Sequence, residues 1–145
     1  MKALSLWQPW ASLVVLGVKQ IETRSWSTEY RGPIIIHATG SVPPPALDFW
    51  RQAEVLHLLK GAGVMEPRGL PMGSHIGTVD LVGVVKVEDA QINSQEERLG
   101  NYTAGRYAWL LDNPRELNEP VPAAGHQRLW NPPIELIEQV REALA

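Results

Sequence analysis

The sequence contains no cysteine. Disulfides, zinc–thiolate centres, iron–sulfur clusters and a thiol nucleophile are thereby excluded together, and the composition suits a reducing cytoplasm. Long apolar runs are missing too. Runs such as Leu13 to Leu16 and Ile34 to Ile36 are far below the roughly 20 residues that cross a bilayer. The opening Met1 to Ser5 has no extended signal core, so the chain is read as soluble and cytoplasmic, with no membrane partner. A dominant charge sign is absent as well: 13 Lys plus Arg stand against 16 Asp plus Glu, a formal net charge of −3. This rules out a basic nucleic-acid coat and a polyacidic disordered tail, and any contact with phosphates must be a local patch.

What is present is 145 residues, the size of one domain with one core, and we expect a single domain over 1–145. Tryptophan is unusually common: 6 Trp exceed 1 Phe and 3 Tyr combined. An indole is large and carries an N–H that needs a partner, so several of these rings should be half-exposed where a flat ligand can stack. For any single Trp, ordinary core and rim packing is the competing reading.

Pro9 suits a first helical turn, Trp10, Leu13 and Val14 recur at helical spacing, and Gly17 can close the helix in a left-handed cap. The period then changes. From Lys19 to Trp26 an extended segment places Glu22, Arg24 and Trp26 on one face and Ile21, Thr23 and Ser25 on the other. Lys19 has the wrong parity for the Glu22 face, and reaches it only from a turn that precedes regular pleating. Ile34 to Ala38 reads as a strand buried on both sides. One main helix is expected from Ala46 to Lys60, closed by Gly61, then a loop to Gly73 and a long strand from Ile76 to Val87 bent at Gly77 and Gly83. Asp89 to Gly105 reads as a connecting excursion with a short helix near Gln95 to Leu99. Tyr107 to Leu111 is a strand, Asp112-Asn113-Pro114 a turn, Val121 to Trp130 a sheet-closing segment, and a final helix presents Ile137, Val140 and Leu144 on one side. Without regular β-α alternation, these elements argue for an α+β fold on a small barrel.

His37, His57, His75 and His126 are scattered without metal-binding spacing, so no metal site is expected. Dinucleotide, phosphate-loop and nucleophile-elbow motifs are also absent, and no cofactor is implied. The dense polar cluster lies in the first 40 residues, where Lys2, Lys19, Arg24 and Arg31 face Glu22 and Glu29, or 4 − 2 = +2. Flanked by Trp7, Trp10 and Trp26, a Lys, a Glu and an Arg combine anion attraction, a hydrogen-bond acceptor and stacking planes, which are the needs of a nucleotide pocket. The alternative is a solvated salt-bridge face worth under about 1 kcal/mol. Charge pattern by itself favours that alternative.

The run Leu4 to Leu13 followed by Gly17 to Trp26 closely resembles the ASCH family, named for activating signal cointegrator homology. The hallmark Gly-x-Lys-x-x-Glu-x-Arg-x-Trp is filled at Gly17, Lys19, Glu22, Arg24 and Trp26. Arg31-Gly32, Ile36 to Thr39, Gly77 to Leu81 and Gly125 to Trp130 are similar to later blocks of the C-terminal domain of the family's namesake. The resemblance implies a small PUA-like β-barrel flanked by helices, with a cleft lined by Lys19, Glu22, Arg24 and Trp26, and by Trp7 and Gln8 on weaker grounds. It implies binding of RNA, DNA or a modified nucleoside or nucleotide, RNA foremost. As an alternative it implies an amidohydrolase that deacetylates acetylcytidine-type nucleosides, with Lys19 and Glu22 as catalytic groups. In that enzyme form the nucleophile is a Thr three residues after the Lys; Glu22 stands there, and Thr23 has the opposite parity. A ribonuclease using Lys19 with Tyr102 or Tyr107 is a third implication.

Overall fold

A computed structural model describes residues 1–144. Among the described residues the chain forms six strands and five helices. In order these are β1 (Lys2–Leu6), α1 (Trp10–Val15), β2 (Ile21–Arg24), β3 (Gly32–Ala38), α2 (Pro44–Trp50), α3 (Ala53–Gly61), β4 (Ser74–Lys86), α4 (Ser94–Leu99), β5 (Tyr107–Pro122), β6 (Leu129–Trp130) and α5 (Ile134–Leu144). The strands make one mixed sheet in the order β2-β5-β4-β3-β1-β6, with β1 parallel to β3 and the remaining pairs antiparallel. The sheet curls into a half-barrel of PUA-like form. Its ladder slips between His75 and Gly77 and again between Leu81 and Gly83, next to the two glycines expected to bend it, because an extra residue on one strand raises local twist.

The three consecutive isoleucines require cover on both faces, and they receive it. Ile34 and Ile36 pack with Ala11, Val14 and Val15 of α1, while Ile35 packs with Ile137 and Val140 of α5. Gly77 lets α1 approach the sheet closely: a Cβ there would stand 2.5 Å from the Arg115 carbonyl oxygen and 2.6 Å from Val15 Cγ1.

Two expectations need correction, and one strand had no expectation at all. The helix expected over Ala46 to Lys60 is two helices, interrupted at Arg51 and Gln52, where Gln52 is extended (φ −62°, ψ 138°). Leu47, Trp50 and Ala53 keep the beat across the break, so periodicity does not reveal it; just before the break, Trp50 Nε1 donates to the Pro67 carbonyl at 2.7 Å. The expected turn at Asp112 to Pro114 is a bulge inside the continuous β5, with Asn113 at φ 50°. Strand β1 has no polar-apolar alternation to announce it, and exists because β3 and β6 flank it.

Candidate functional site

Strand β2 pairs with β5 so that Glu22 lies opposite Trp109 and Arg24 opposite Tyr107. Its burial alternates: Ile21 and Thr23 face the interior, while Glu22 and Arg24 look toward a cleft of about 1140 Å³. The cleft is walled by Ser5, Leu6 and Trp7 at the end of β1, by Trp10 and Phe49, by the stretch Arg98 to Asn101 leaving α4, by Arg106, and by Gly125 to Arg128 before β6. Arg24 is held by donation from Nη2 to the Ser5 carbonyl at 2.8 Å, with the Glu22 Oε2 at 3.5 Å. Arg106 Nη2 donates to the Thr23 carbonyl at 3.0 Å.

The wall is locally cationic. Arg24, Arg98, Arg106 and Arg128 face one carboxylate, Glu22, or 4 − 1 = +3. Arg98 is paired at 2.7 Å with exposed Glu54, which leaves 3 − 1 = +2 in a protein whose total is −3. Low-dielectric walls concentrate such a field on an entering anion.

The indoles differ in availability. Trp7 is 50% exposed at the rim. Trp10 stacks on Phe49 at 4.6 Å and donates to the Leu99 carbonyl at 2.7 Å, tying α1 to the end of α4. Trp26, just beyond β2, stands edge-to-face with buried Trp109 at 4.8 Å, and Arg128 lies over its ring at 4.7 Å.

Lys19 reaches the site from the turn before β2, but from behind the wall: it is 1% exposed. Its Nζ lies 4.0 Å from Glu96 Oε1 and has no hydrogen-bond partner among the described residues. A Cβ on Gly100, which faces the cleft, would stand 3.0 Å from that nitrogen. Burial pushes the Lys19 pKa below its usual value, against the opposing pull of Glu22 and Glu96. Burial likewise raises Tyr102, with help from Glu96 and Glu22. The Tyr102 hydroxyl is buried in this neighbourhood, whereas Tyr107 packs half-buried beside β2. Gln8 lies outside the cleft wall. Its amide caps α1, accepting from the Ser12 N–H at 3.0 Å and donating to the Ser12 hydroxyl and the Pro71 carbonyl, both at 2.8 Å.

Sequence reasoning did not find Glu96. The available signal was Asn93-x-x-Glu96, which resembles a capping box, and Asn93 does accept from the Glu96 N–H at 2.8 Å. The Glu96 carboxylate, however, reaches across to the Gln20 N–H at 2.7 Å. Arg106 and Arg128 were also missed, since nothing local links either to β2.

His37 lines the cleft, and His75 lies buried beside it. His37 Nε2 donates to the Ala123 carbonyl at 2.7 Å, leaving Nδ1 to accept from the Ser5 hydroxyl at 3.0 Å. His75 stands edge-on at 5.2 Å, wholly buried with neither nitrogen partnered among the described residues. Its pKa falls to about 4 through burial and the neighbouring His37. Among the described residues no group of three His, Asp or Glu side chains converges as metal ligands would, and no helix is long and apolar enough to cross a membrane.

This chain is similar to known proteins along most of its length. The ASCH domain family model matches residues 4–121. Activating signal cointegrator 1 of Mus musculus and that of Homo sapiens are each 35% identical over 127 residues, covering 88% of this chain and 21% of theirs. The chain thus spans about a fifth of the length of these curated relatives. The crystal structure of ASCH from Zymomonas mobilis superposes with a TM-score of 0.59 at 18% identity, covering 99% of this chain and 95% of that one, which shows a shared fold. On the family match, the chain belongs to the ASCH domain family, a PUA-like fold family associated with RNA binding.

Proposed function

We propose that the cleft binds a nucleotide unit of single-stranded nucleic acid, RNA foremost. One observation carries this reading: the guanidinium groups of Arg24, Arg106 and Arg128 outnumber the single Glu22 carboxylate in a cleft with an exposed indole at its rim. Arg24 and Arg106 each spend one nitrogen on a backbone carbonyl, which fixes the fork and leaves its remaining N–H groups for phosphate oxygens. Glu22 supplies an acceptor for a base amine. Trp7 offers a flat apolar surface for a second base, worth about 1 to 3 kcal/mol.

Fluorescence anisotropy with a labelled single-stranded RNA, read across a salt series, tests this. Saturable binding that weakens as salt rises, and that weakens further in Arg24→Ala, is the expected result. Salt-independent binding, or an Arg24→Ala variant equal to the parent, would overturn it.

A hydrolase reading has one supporting observation, the buried Lys19 amine with its lowered pKa beside Glu22. In this reading a water gives its proton to the amine or to Glu22, and its oxygen adds to the acetyl carbonyl of an acetylated cytidine. The carbon–nitrogen bond then breaks as the group that took the proton returns it to the departing exocyclic nitrogen, so that acetate and cytidine with a neutral amino group are released. Thr23, buried on the opposite face of β2, is not used as a nucleophile. Acetate release from acetylcytidine, abolished in Lys19→Ala, would establish it; no release by the parent protein would remove it.

A further inference from the structure

Trp26 is flanked by two side chains. The buried Trp109 ring stands perpendicular to it at 4.8 Å, and the Arg128 guanidinium lies over the Trp26 ring, 4.7 Å from its centroid. A base stacking on that face of the indole would first have to evict the guanidinium. Arg128 itself is exposed, faces the cleft, and makes no ion pair or side-chain hydrogen bond among the described residues. Its backbone is nevertheless anchored. The strap that carries it begins with the Ala123 carbonyl bound to His37 at 2.7 Å, passes Gly125 pressed against His37 and Ser5, and ends where Leu129 pairs with Leu4 of β1. Arg128 adopts φ 59°, a left-handed conformation that a non-glycine residue takes rarely. From this turn the side chain lies over Trp26.

A guanidinium is planar. Laid flat on an indole, it keeps its second face open for stacking and its edge N–H groups available to oxygen acceptors. We propose that the Arg128 guanidinium, carried on Trp26, is the plate on which the nucleobase stacks. Trp26 is then a positioning residue that acts through Arg128 without touching the ligand. This inference rests on the nucleotide-binding reading and specifies which side chain meets the base.

The experiment compares adenosine 5′-monophosphate with ribose 5-phosphate by calorimetry, on the parent chain, Arg128→Lys and Trp26→Ala. Lysine keeps the charge and loses the plane. Arg128→Lys should weaken the nucleotide by about fivefold or more, the lower end of a lost base stack. It should leave ribose 5-phosphate within about twofold, since the phosphate still meets a cation. Trp26→Ala should follow the same pattern. A nucleotide affinity unchanged in Arg128→Lys but lost in Trp26→Ala would place the base directly on the indole and overturn the proposal. Equal parent affinity for the two probes would overturn it as well, while leaving a phosphate site. If the parent binds neither probe, the nucleotide reading itself falls. Because Arg128 is exposed, its lysine variant should fold as the parent does.

Discussion

The ammonium of Lys19 and the carboxylate of Glu96 stand 4.0 Å apart with side-chain exposures of 1% and 7%. That separation is beyond hydrogen-bond reach, so the attraction is Coulombic and acts in a weakly screened interior. It holds together two segments from distant parts of the sequence, the turn before β2 and helix α4. Through α4 it fixes the wall that runs from Arg98 to Asn101.

Removing one partner of such a pair strands the other. Glu96→Gln keeps an acceptor for the Gln20 N–H and deletes only the charge, and should cost about 3 kcal/mol at neutral pH. Burial already lowers the Lys19 pKa, so between the folded value and 10.5 the unfolded chain holds more protons, and stability rises with pH across that window. The deficit of Glu96→Gln should therefore shrink as the solution becomes more alkaline. Urea unfolding of both proteins at several pH values measures it; a deficit that does not change with pH would contradict the account.

His75 makes acid the opposite hazard. Its folded pKa of about 4 lies below the usual 6.5, so from pH 6.5 down to 4 the unfolded chain takes up a proton that the native chain refuses. Stability should fall through this window by up to about 1.4 kcal/mol per pH unit. His37 is shifted in the same direction and adds to the slope. His75→Leu should flatten the profile, as measured by urea midpoints from neutral to acid pH; an unaltered slope would show that other groups set it.

Gly77 is where α1 meets the sheet most closely. Gly77→Ala forces a Cβ to within 2.5 Å of the Arg115 carbonyl oxygen and 2.6 Å of Val15 Cγ1, and a backbone carbonyl cannot move aside. The cost should be at least about 1 to 3 kcal/mol, lowering the thermal midpoint by about 3 °C for each kcal/mol. Gly61→Ala, at the end of α3 where the added Cβ would meet nothing within 4 Å, is the control and should hold or slightly raise the midpoint, since alanine favours the helix. Equal melting of the two variants would refute the close approach.

Arg106 should behave as a phosphate contact. Arg106→Ala should weaken single-stranded RNA binding and reduce the slope of log affinity against log salt by about 0.7, the value for one contact on a single strand. A parallel salt line, merely displaced, would assign Arg106 to holding the Thr23 carbonyl alone.

Local rules within the sequence reached a good part of the fold. Gly17 takes the left-handed conformation at φ 78° after α1, since few other residues adopt it without strain. Ile34 to Ile36 demanded a sheet covered twice, and α1 and α5 supply the cover. The alternation of β2 put Glu22 and Arg24 on one face, which is the face toward the cleft.

Tertiary structure decided the rest. Parity fails for Lys19 because it precedes the pleated segment, and its side chain runs behind the wall to Glu96. The break at Gln52 and the bulge at Asn113 follow from where neighbouring elements sit, and neither alters the hydrophobic period. Above all, the positive character of the cleft comes from Arg106 and Arg128 meeting Arg24. Helical caps and strand alternation act over a few residues, so the sequence by itself determines which side chains share a face. Which faces then meet is decided only when the sheet curls and brings together residues that the chain keeps far apart.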